Sequence, residues 1–189
     1  MNVSLGRPAV FLDRDGTVIR DVGYLCREEE LEILPRVPEA IRRIHGHGFT
    51  VVVITNQSAV ARGLLTEKDL LQINDLLCQR LASRGAPLDA IYYCPHHPTE
   101  GLGSYKVECD CRKPKTGMIR RAAQDLHLDP SISYIVGDQV IDLELAARVR
   151  ATGIWICNSE ERSNSFMPEA HRVEDLWQAV DWIVKGRSL

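Results

Sequence analysis

Apolar positions in this chain fall into short runs separated by helical patterns. Residues 9–12 form an unbroken apolar run that ends at Asp13, and residues 50–55 form the β-branched run Thr-Val-Val-Val-Ile-Thr. Such runs, without alternation, predict strands buried on both faces. Residues 88–94, 134–136 and 154–157 predict three more strands. Between them, apolar residues recur at helical spacing. Ala40, Ile41 and Ile44 do so within 38–45, which Gly46 and Gly48 end, and Leu70, Ile73, Leu77 and Leu81 do so in a helix reaching Ala82. Thr66 and Asp69 have capping-box spacing at the start of that helix, with Asp in place of Glu. Residues 117–126, 142–150 and 174–184 predict three further helices. Residues 95–110 carry Pro, Gly and His without periodicity and read as a loop. Residues 158–172 read as a mobile surface connection.

Strands alternating with helices predict right-handed βαβ units and an α/β fold, with a Rossmann-like parallel sheet covered by helices in three α/β/α layers. Ligands bind such sheets at the carboxyl ends of the strands, near the point where strand order reverses. The polar residues of interest gather at those ends: Asp13 and Asp15 after the first strand, Thr55 and Asn56 at the second, Asp138 after the fourth.

The chain has 189 residues, 44% apolar and 26% charged, which predicts one globular domain over residues 1–189. A net charge of −3 argues against a broad nucleic-acid surface. No apolar run approaches the ~20 residues a membrane span needs, and no secretory apolar segment fits near residue 9. The expected setting is therefore the reducing cytoplasm, with no membrane partner. No long exposed apolar stripe is visible, so a monomer is expected. Of six cysteines, Cys26, Cys78 and Cys157 are scattered and read as small buried or partly buried thiols. Trp155, Trp177 and Trp182 read as packing residues. His45, His47, His127 and His171 have no visible partners.

Asp13-Arg14-Asp15-Gly16-Thr17 places two carboxylates two residues apart directly after a buried strand, and Gly137-Asp138-x-x-x-Asp142 places another pair after the fourth. Carboxylates converging from two strand ends repel unless a cation lies between them, and Mg²⁺ suits all-oxygen ligands. One carboxylate can then attack phosphorus, and its neighbour can exchange the proton. Thr55 and Lys113 are candidates to hold the phosphoryl oxygens.

Cys94-Pro-His96-His97-Pro and, ten residues on, Cys109-Asp-Cys111 offer three thiolates and an imidazole. Three Cys and one His form a structural zinc set, and a metal would order a loop too poor in apolar residues to order itself. His97 is the alternative to His96. A basic Arg112-Lys113-Pro114-Lys115 turn follows at once.

The ordered series of Asp-x-Asp-Gly-Thr, Thr55, Lys113 and Gly-Asp-x-x-x-Asp resembles the haloacid dehalogenase (HAD) superfamily of phosphatases over residues 9–157. Tyr-Tyr-Cys-Pro-His-His-Pro, Cys-Asp-Cys-Arg-Lys-Pro, Gly-Met-Ile, Thr-Asn-Gln-Ser at 55–58 and Ala-Arg-Gly at 61–63 narrow it to the D-glycero-D-manno-heptose 1,7-bisphosphate 7-phosphatase family. The histidinol-phosphate phosphatase domains are close to it and share the zinc loop. This resemblance implies Asp13 as nucleophile and Mg²⁺ ligand, and Asp15 as general acid/base lending its backbone carbonyl to Mg²⁺. It implies Asp138 as the other Mg²⁺ ligand, Thr55 and Lys113 on the phosphoryl group, and Cys94, His96, Cys109 and Cys111 on Zn²⁺. Substrate contacts are implied at Asp21, Val22, Gly23, Tyr24, Thr55, Asn56, Gln57, Ser58, Arg112 and Lys113, and at Gln139. Asp142 is expected to orient its neighbours or cap a helix.

The intervals between motifs leave no room for a cap domain, so loops must select the phosphorylated sugar. Two positions depart from the family pattern: Gln139 stands where Lys is common, and Val22 where His is expected. The competing readings are a histidinol-phosphate phosphatase, a polynucleotide 3′-phosphatase disfavoured by charge, and a non-catalytic zinc-stabilised binding module.

Overall fold

The computed structural model describes residues 6–157 and 171–186. Among these described residues six parallel strands form one sheet in the order β3-β2-β1-β4-β5-β6. They are β1 (Ala9–Leu12), β2 (Thr50–Asn56), β3 (Ala90–Cys94), β4 (Tyr134–Gly137), β5 (Thr152–Ile156) and β6 (His171–Val173). The helices are α1 (Val37–Gly46), α2 (Ser58–Ala61), α3 (Glu67–Ala82), α4 (Gly117–Leu126), α5 (Val140–Val149) and α6 (Leu176–Lys185).

The two sheet faces divide the core by strand alternation. Val10, Leu12, Val51, Val53 and Val136 pack with α1, α3 and α6, while Ala9, Phe11, Val52, Ile54 and Ile135 pack with α4 and α5. That is the expected three-layer arrangement, and it explains why the strands carry apolar residues at consecutive positions. Thr66 and Asp69 form the reciprocal capping box that opens α3.

Several elements differ from expectation: α2 (Ser58–Ala61) is unexpected, β5 runs Thr152–Ile156 rather than 154–157, α6 begins at Leu176 rather than 174, and three further differences have a physical reason. β3 begins at Ala90, two residues after the start of the apolar stretch. Helix α5 begins at Val140 because Asp142 closes its first turn from inside, its Oδ2 accepting from Gln139 N at 3.3 Å. β6, three residues long, is too short to announce itself in a pattern; it takes His171 and Arg172 out of the expected surface connection, whose residues 158–170 lie outside those described. Three of the four histidines also have partners: His45 Nε2 lies 2.9 Å from Asp89 Oδ2, His47 Nδ1 lies 2.8 Å from Arg43 O, and the His171 ring stacks on Trp182 with centroids 4.2 Å apart.

Strand order reverses at β1, with β2 and β3 to one side and β4 to β6 to the other. Chain segments leaving the carboxyl ends of β1 and β4 therefore diverge and open a crevice between them. Among the described residues no helix is long and apolar enough to cross a membrane.

Candidate active site

Residues 13 to 19 turn tightly out of β1. Asp13 N donates to Val136 O (2.9 Å), which fixes Asp13 against β4, and Gly16 N donates to Ile19 O (2.8 Å). Gly16 has φ +77°, and a Cβ built there would lie 2.1 Å from Asp138 Oδ2. The turn thus needs glycine both for its conformation and for the approach of the two acidic loops. At Gly137 a Cβ would lie 2.2 Å from Asp142 Oδ2. Trp155 Nε1 donates to Asp138 O (3.0 Å), so this packing residue also anchors the second acidic loop.

Carboxylate oxygens of Asp13, Asp138 and Asp142 come within 4.8 Å of one another. Lys113, almost wholly buried, enters the cluster with Nζ 2.8 Å from Asp13 Oδ1 and 2.7 Å from Asp142 Oδ1. Asp13 Oδ1 also accepts from Arg14 N at 2.7 Å, while Oδ2 has no protein partner among the described residues. Asp142 both orients Lys113 and caps α5, the two roles expected for it.

One lysine does not balance three carboxylates in a buried place. Burial, reinforced by Asp142 and Asp138 and opposed by Lys113, lifts the Asp13 carboxyl to about 7. Burial and then Asp142 lift Asp138 to about 6. Burial works against the Lys113 charge, but Asp13 and Asp142 outweigh it and hold its pKa above the ordinary lysine value. Asp138 Oδ1 is buried without a hydrogen-bond donor. An orphaned carboxylate oxygen amid surplus negative charge, with all-oxygen donors, fits a hard divalent cation such as Mg²⁺. The Asp15 carboxylate stands outside this group; it accepts from Arg14 and from Gln57 Nε2 at 2.8 Å.

A cavity of about 170 Å³ opens beside the cluster, lined by Asp13, Asp15, Asp21, Gly23, Tyr24, Thr55, Asn56, Gln57, Ser58, Arg112, Lys113 and Gln139. Val22, expected with them, is not on this wall and lies exposed instead. Asn56 and Gln57 line the cavity, but their side-chain amides are committed to protein. Asn56 Oδ1 accepts from Lys113 N (2.9 Å) and Nδ2 donates to Lys113 O (3.2 Å). Gln57 Nε2 reaches Thr55 Oγ1 (2.7 Å) as well as Asp15. These two residues position Thr55, Lys113 and Asp15; an amide beside a threonine in the sequence does not reveal which way it turns.

Cys94 ends β3, so the sheet fixes it; His96, Cys109 and Cys111 gather around it. The sulfur–sulfur distances are 3.1, 3.2 and 3.5 Å, and His96 Nδ1 lies 3.4 Å from Cys111 Sγ and 3.8 Å from Cys94 Sγ. A tetrahedral zinc with Zn–S near 2.3 Å spaces its sulfurs by about 3.8 Å, so these four donors suit that ion. All three cysteines are free thiols. Burial pushes the Cys94 thiol up and the Cys111 thiol to about 11, as expected where thiols crowd without a cation to share. His97 turns away, its Nδ1 accepting from Glu100 N at 3.0 Å. Arg112 donates to His96 O at 3.1 Å and Asn56 grips Lys113, so this loop and the acidic cluster are mechanically joined.

Comparison with known proteins places this geometry. The family described as Polynucleotide kinase 3 phosphatase matches residues 9–150. The D-glycero-beta-D-manno-heptose-1,7-bisphosphate 7-phosphatase of Escherichia coli O6:H1 is 39% identical over 179 residues, 95% of this chain and 90% of that one. The protein of the same name from Pasteurella multocida is 45% identical over 137 residues, 72% of this chain and 74% of that one. Among solved structures, a D,D-heptose 1,7-bisphosphate phosphatase from B. bronchiseptica, complexed with magnesium and phosphate, superposes with a TM-score of 0.82 at 33% identity, covering 95% of this chain and 99% of that one. A HAD-like phosphatase from Mesorhizobium loti gives 0.82 at 29% identity, with 95% and 88% covered.

Fold and site together define a phosphoric monoester hydrolase of the HAD type. Within that class the chain belongs to the D-glycero-D-manno-heptose 1,7-bisphosphate 7-phosphatase family.

Proposed function

We propose that this chain removes the 7-phosphate of D-glycero-β-D-manno-heptose 1,7-bisphosphate through an aspartyl-phosphate on Asp13, in nucleotide-activated heptose biosynthesis. The observation that carries the reading is the state of Asp13: Oδ1 is fixed by Lys113 and the Arg14 amide, Oδ2 has no protein partner among the described residues, and Asp13 lines a cavity together with Thr55 and Asp15. The β anomer is taken from the names of the relatives.

Asp13 Oδ2 attacks phosphorus as the bond to the sugar oxygen breaks, and Asp15 gives that oxygen its proton. Asp15 then takes a proton from water as the water oxygen bonds to phosphorus and Asp13 is released. Lys113 Nζ and Thr55 Oγ1 hold the phosphoryl oxygens, with Lys113 kept charged by its two carboxylates. Asp13, Asp138 and the Asp15 backbone carbonyl would hold Mg²⁺, which when bound draws charge from the phosphoryl oxygens. Cys94, His96, Cys109 and Cys111 would hold Zn²⁺ and so keep Arg112 and Lys113 in register. Asp21, Gly23, Tyr24, Ser58, Arg112 and Gln139 are left to meet the sugar and its second phosphate. The reading makes the protein a cytoplasmic monomer acting on a small molecule, without nucleic-acid or membrane partners.

The test is phosphate release with Mg²⁺ on both anomers of the heptose bisphosphate, histidinol phosphate and a 3′-phosphorylated oligonucleotide. The β bisphosphate is expected to give the highest kcat/KM. Preference for histidinol phosphate or the oligonucleotide would overturn the substrate, and no release from any would overturn the activity.

A further inference from the structure

Arg14 occupies the middle of the Asp-x-Asp motif, yet its side chain is 1% exposed. A buried guanidinium is kept only where its donors are satisfied. Nε donates to Asp15 Oδ2 and NH2 to Asp15 Oδ1, each at 3.2 Å, a two-pronged grip on one carboxylate. NH2 also donates to Gln57 Oε1 at 2.8 Å, and NH1 donates to Asn74 Oδ1 at 3.0 Å. Asn74 is itself buried on α3, on the face that Leu70, Ile73 and Leu77 commit to the core. Gln57 closes the ring by donating to Asp15 Oδ2 at 2.8 Å.

The two oxygens of Asp15 are therefore unequal. Oδ2 accepts from both Arg14 Nε and Gln57 Nε2, which fills its two acceptor positions. Oδ1 accepts from Arg14 NH2 alone and keeps one position open. We infer that Arg14, held from behind by Asn74, is a positioning residue that pins Asp15 through Oδ2 and leaves Oδ1 as the oxygen that gives and takes the proton. The inference rests on the acid/base role proposed for Asp15. Helix α3 thereby becomes the rigid backing of the proton-transfer step, although it contributes no residue that touches substrate.

The experiment compares kcat/KM for the heptose bisphosphate with kcat/KM for p-nitrophenyl phosphate. Both report the step in which the leaving group departs, and only the sugar alkoxide needs a proton to leave. Asn74→Leu removes the acceptor for Arg14 NH1; Asn74→Asp restores it. The expected result for Asn74→Leu is a loss of about tenfold on the bisphosphate, part of the 10²–10⁴ that a positioned acid supplies. The loss on the aryl ester should be under about twofold, and Asn74→Asp should recover most of it. Equal losses on both esters, or none, would overturn the inference. Gln57→Met, which deletes the second donor to Oδ2, is read by the same ratio and decides the matter where Asn74→Leu gives no folded protein. Asp15→Asn separates the two readings: if it slows both esters alike, the acid/base role fails; if it selectively slows the bisphosphate and the other variants do not, only the positioning role fails.

Discussion

Gly16 and Asp138 approach so closely that a Cβ on residue 16 would sit 2.1 Å from the Asp138 carboxylate. The two acidic loops come from strand ends 125 positions apart in sequence, and their separation is set by the absence of one methyl group. Gly16→Ala must move Asp138 and also strain a backbone held at φ +77°. The variant is expected to fold but to bind Mg²⁺ at least about tenfold more weakly, a cost of ~1.4 kcal/mol at the site. Isothermal titration with Mg²⁺ measures this, and unchanged affinity would contradict the proposed ligand set.

Asn56 holds Lys113 by its backbone N and O. Asn56→Ala is expected to reduce kcat by about 10- to 100-fold with little change in KM, because a displaced donor costs most where charge develops in the transition state. Steady-state kinetics on the heptose bisphosphate gives the split; a rise in KM with kcat preserved would assign Asn56 to substrate binding instead.

The raised carboxyls of Asp13, at about 7, and Asp138, at about 6, set a pH dependence. Their folded pKa values lie above the ordinary aspartate value of 3.8, so the folded state binds more protons than the unfolded one between about pH 4 and 7. Without Mg²⁺ this contribution to stability is fully present at low pH and is lost as pH rises through 7. Mg²⁺ needs both groups ionised. The increase in Tm on adding Mg²⁺ is therefore expected to grow from pH 5.5 to 8, and differential scanning fluorimetry at fixed Mg²⁺ reads it. A constant increment would contradict the assignment.

The four-donor cluster predicts about one zinc per chain by elemental analysis of protein purified without chelator. Cys111→Ser removes a thiol that touches the other three donors. A destabilisation of about 3 kcal/mol or more is expected, which for a chain of this size lowers Tm by roughly 6–12 °C. Activity should fall with it, since Arg112 leans on His96. Folded, active protein free of transition metal would refute the zinc site.

Much of this arrangement is legible in the sequence because it is local. Apolar runs at 9–12 and 50–55 encode strands buried on both faces, the Thr66–Asp69 box encodes a helix start, and Cys94, His96, Cys109 and Cys111 stand close enough to be read as one group. What escapes is decided across distance. Asn74 is an ordinary polar position in a helical repeat, and its partner Arg14 lies sixty residues away. Asn56 and Gln57 could equally face substrate or protein, and only packing turns them inward. Val22 falls in the right loop but off the cavity wall, because Gly23 N turns back to Asp21 Oδ1 at 2.7 Å and sets its own local geometry. Gln139 lies two residues beyond the end of β4, and although Asp142 is expected to orient its neighbours or cap a helix, its bond from Gln139 N is visible only in the turn.

The most direct test of the account follows ³¹P resonances of D-glycero-β-D-manno-heptose 1,7-bisphosphate with Mg²⁺ and either the native protein or Asp13→Asn. The native protein is expected to convert the 7-phosphate signal into inorganic phosphate while the anomeric phosphate persists, and Asp13→Asn, folded to the same Tm within a few degrees, is expected to leave both signals intact. Release of the anomeric phosphate, or full activity in Asp13→Asn, would contradict it.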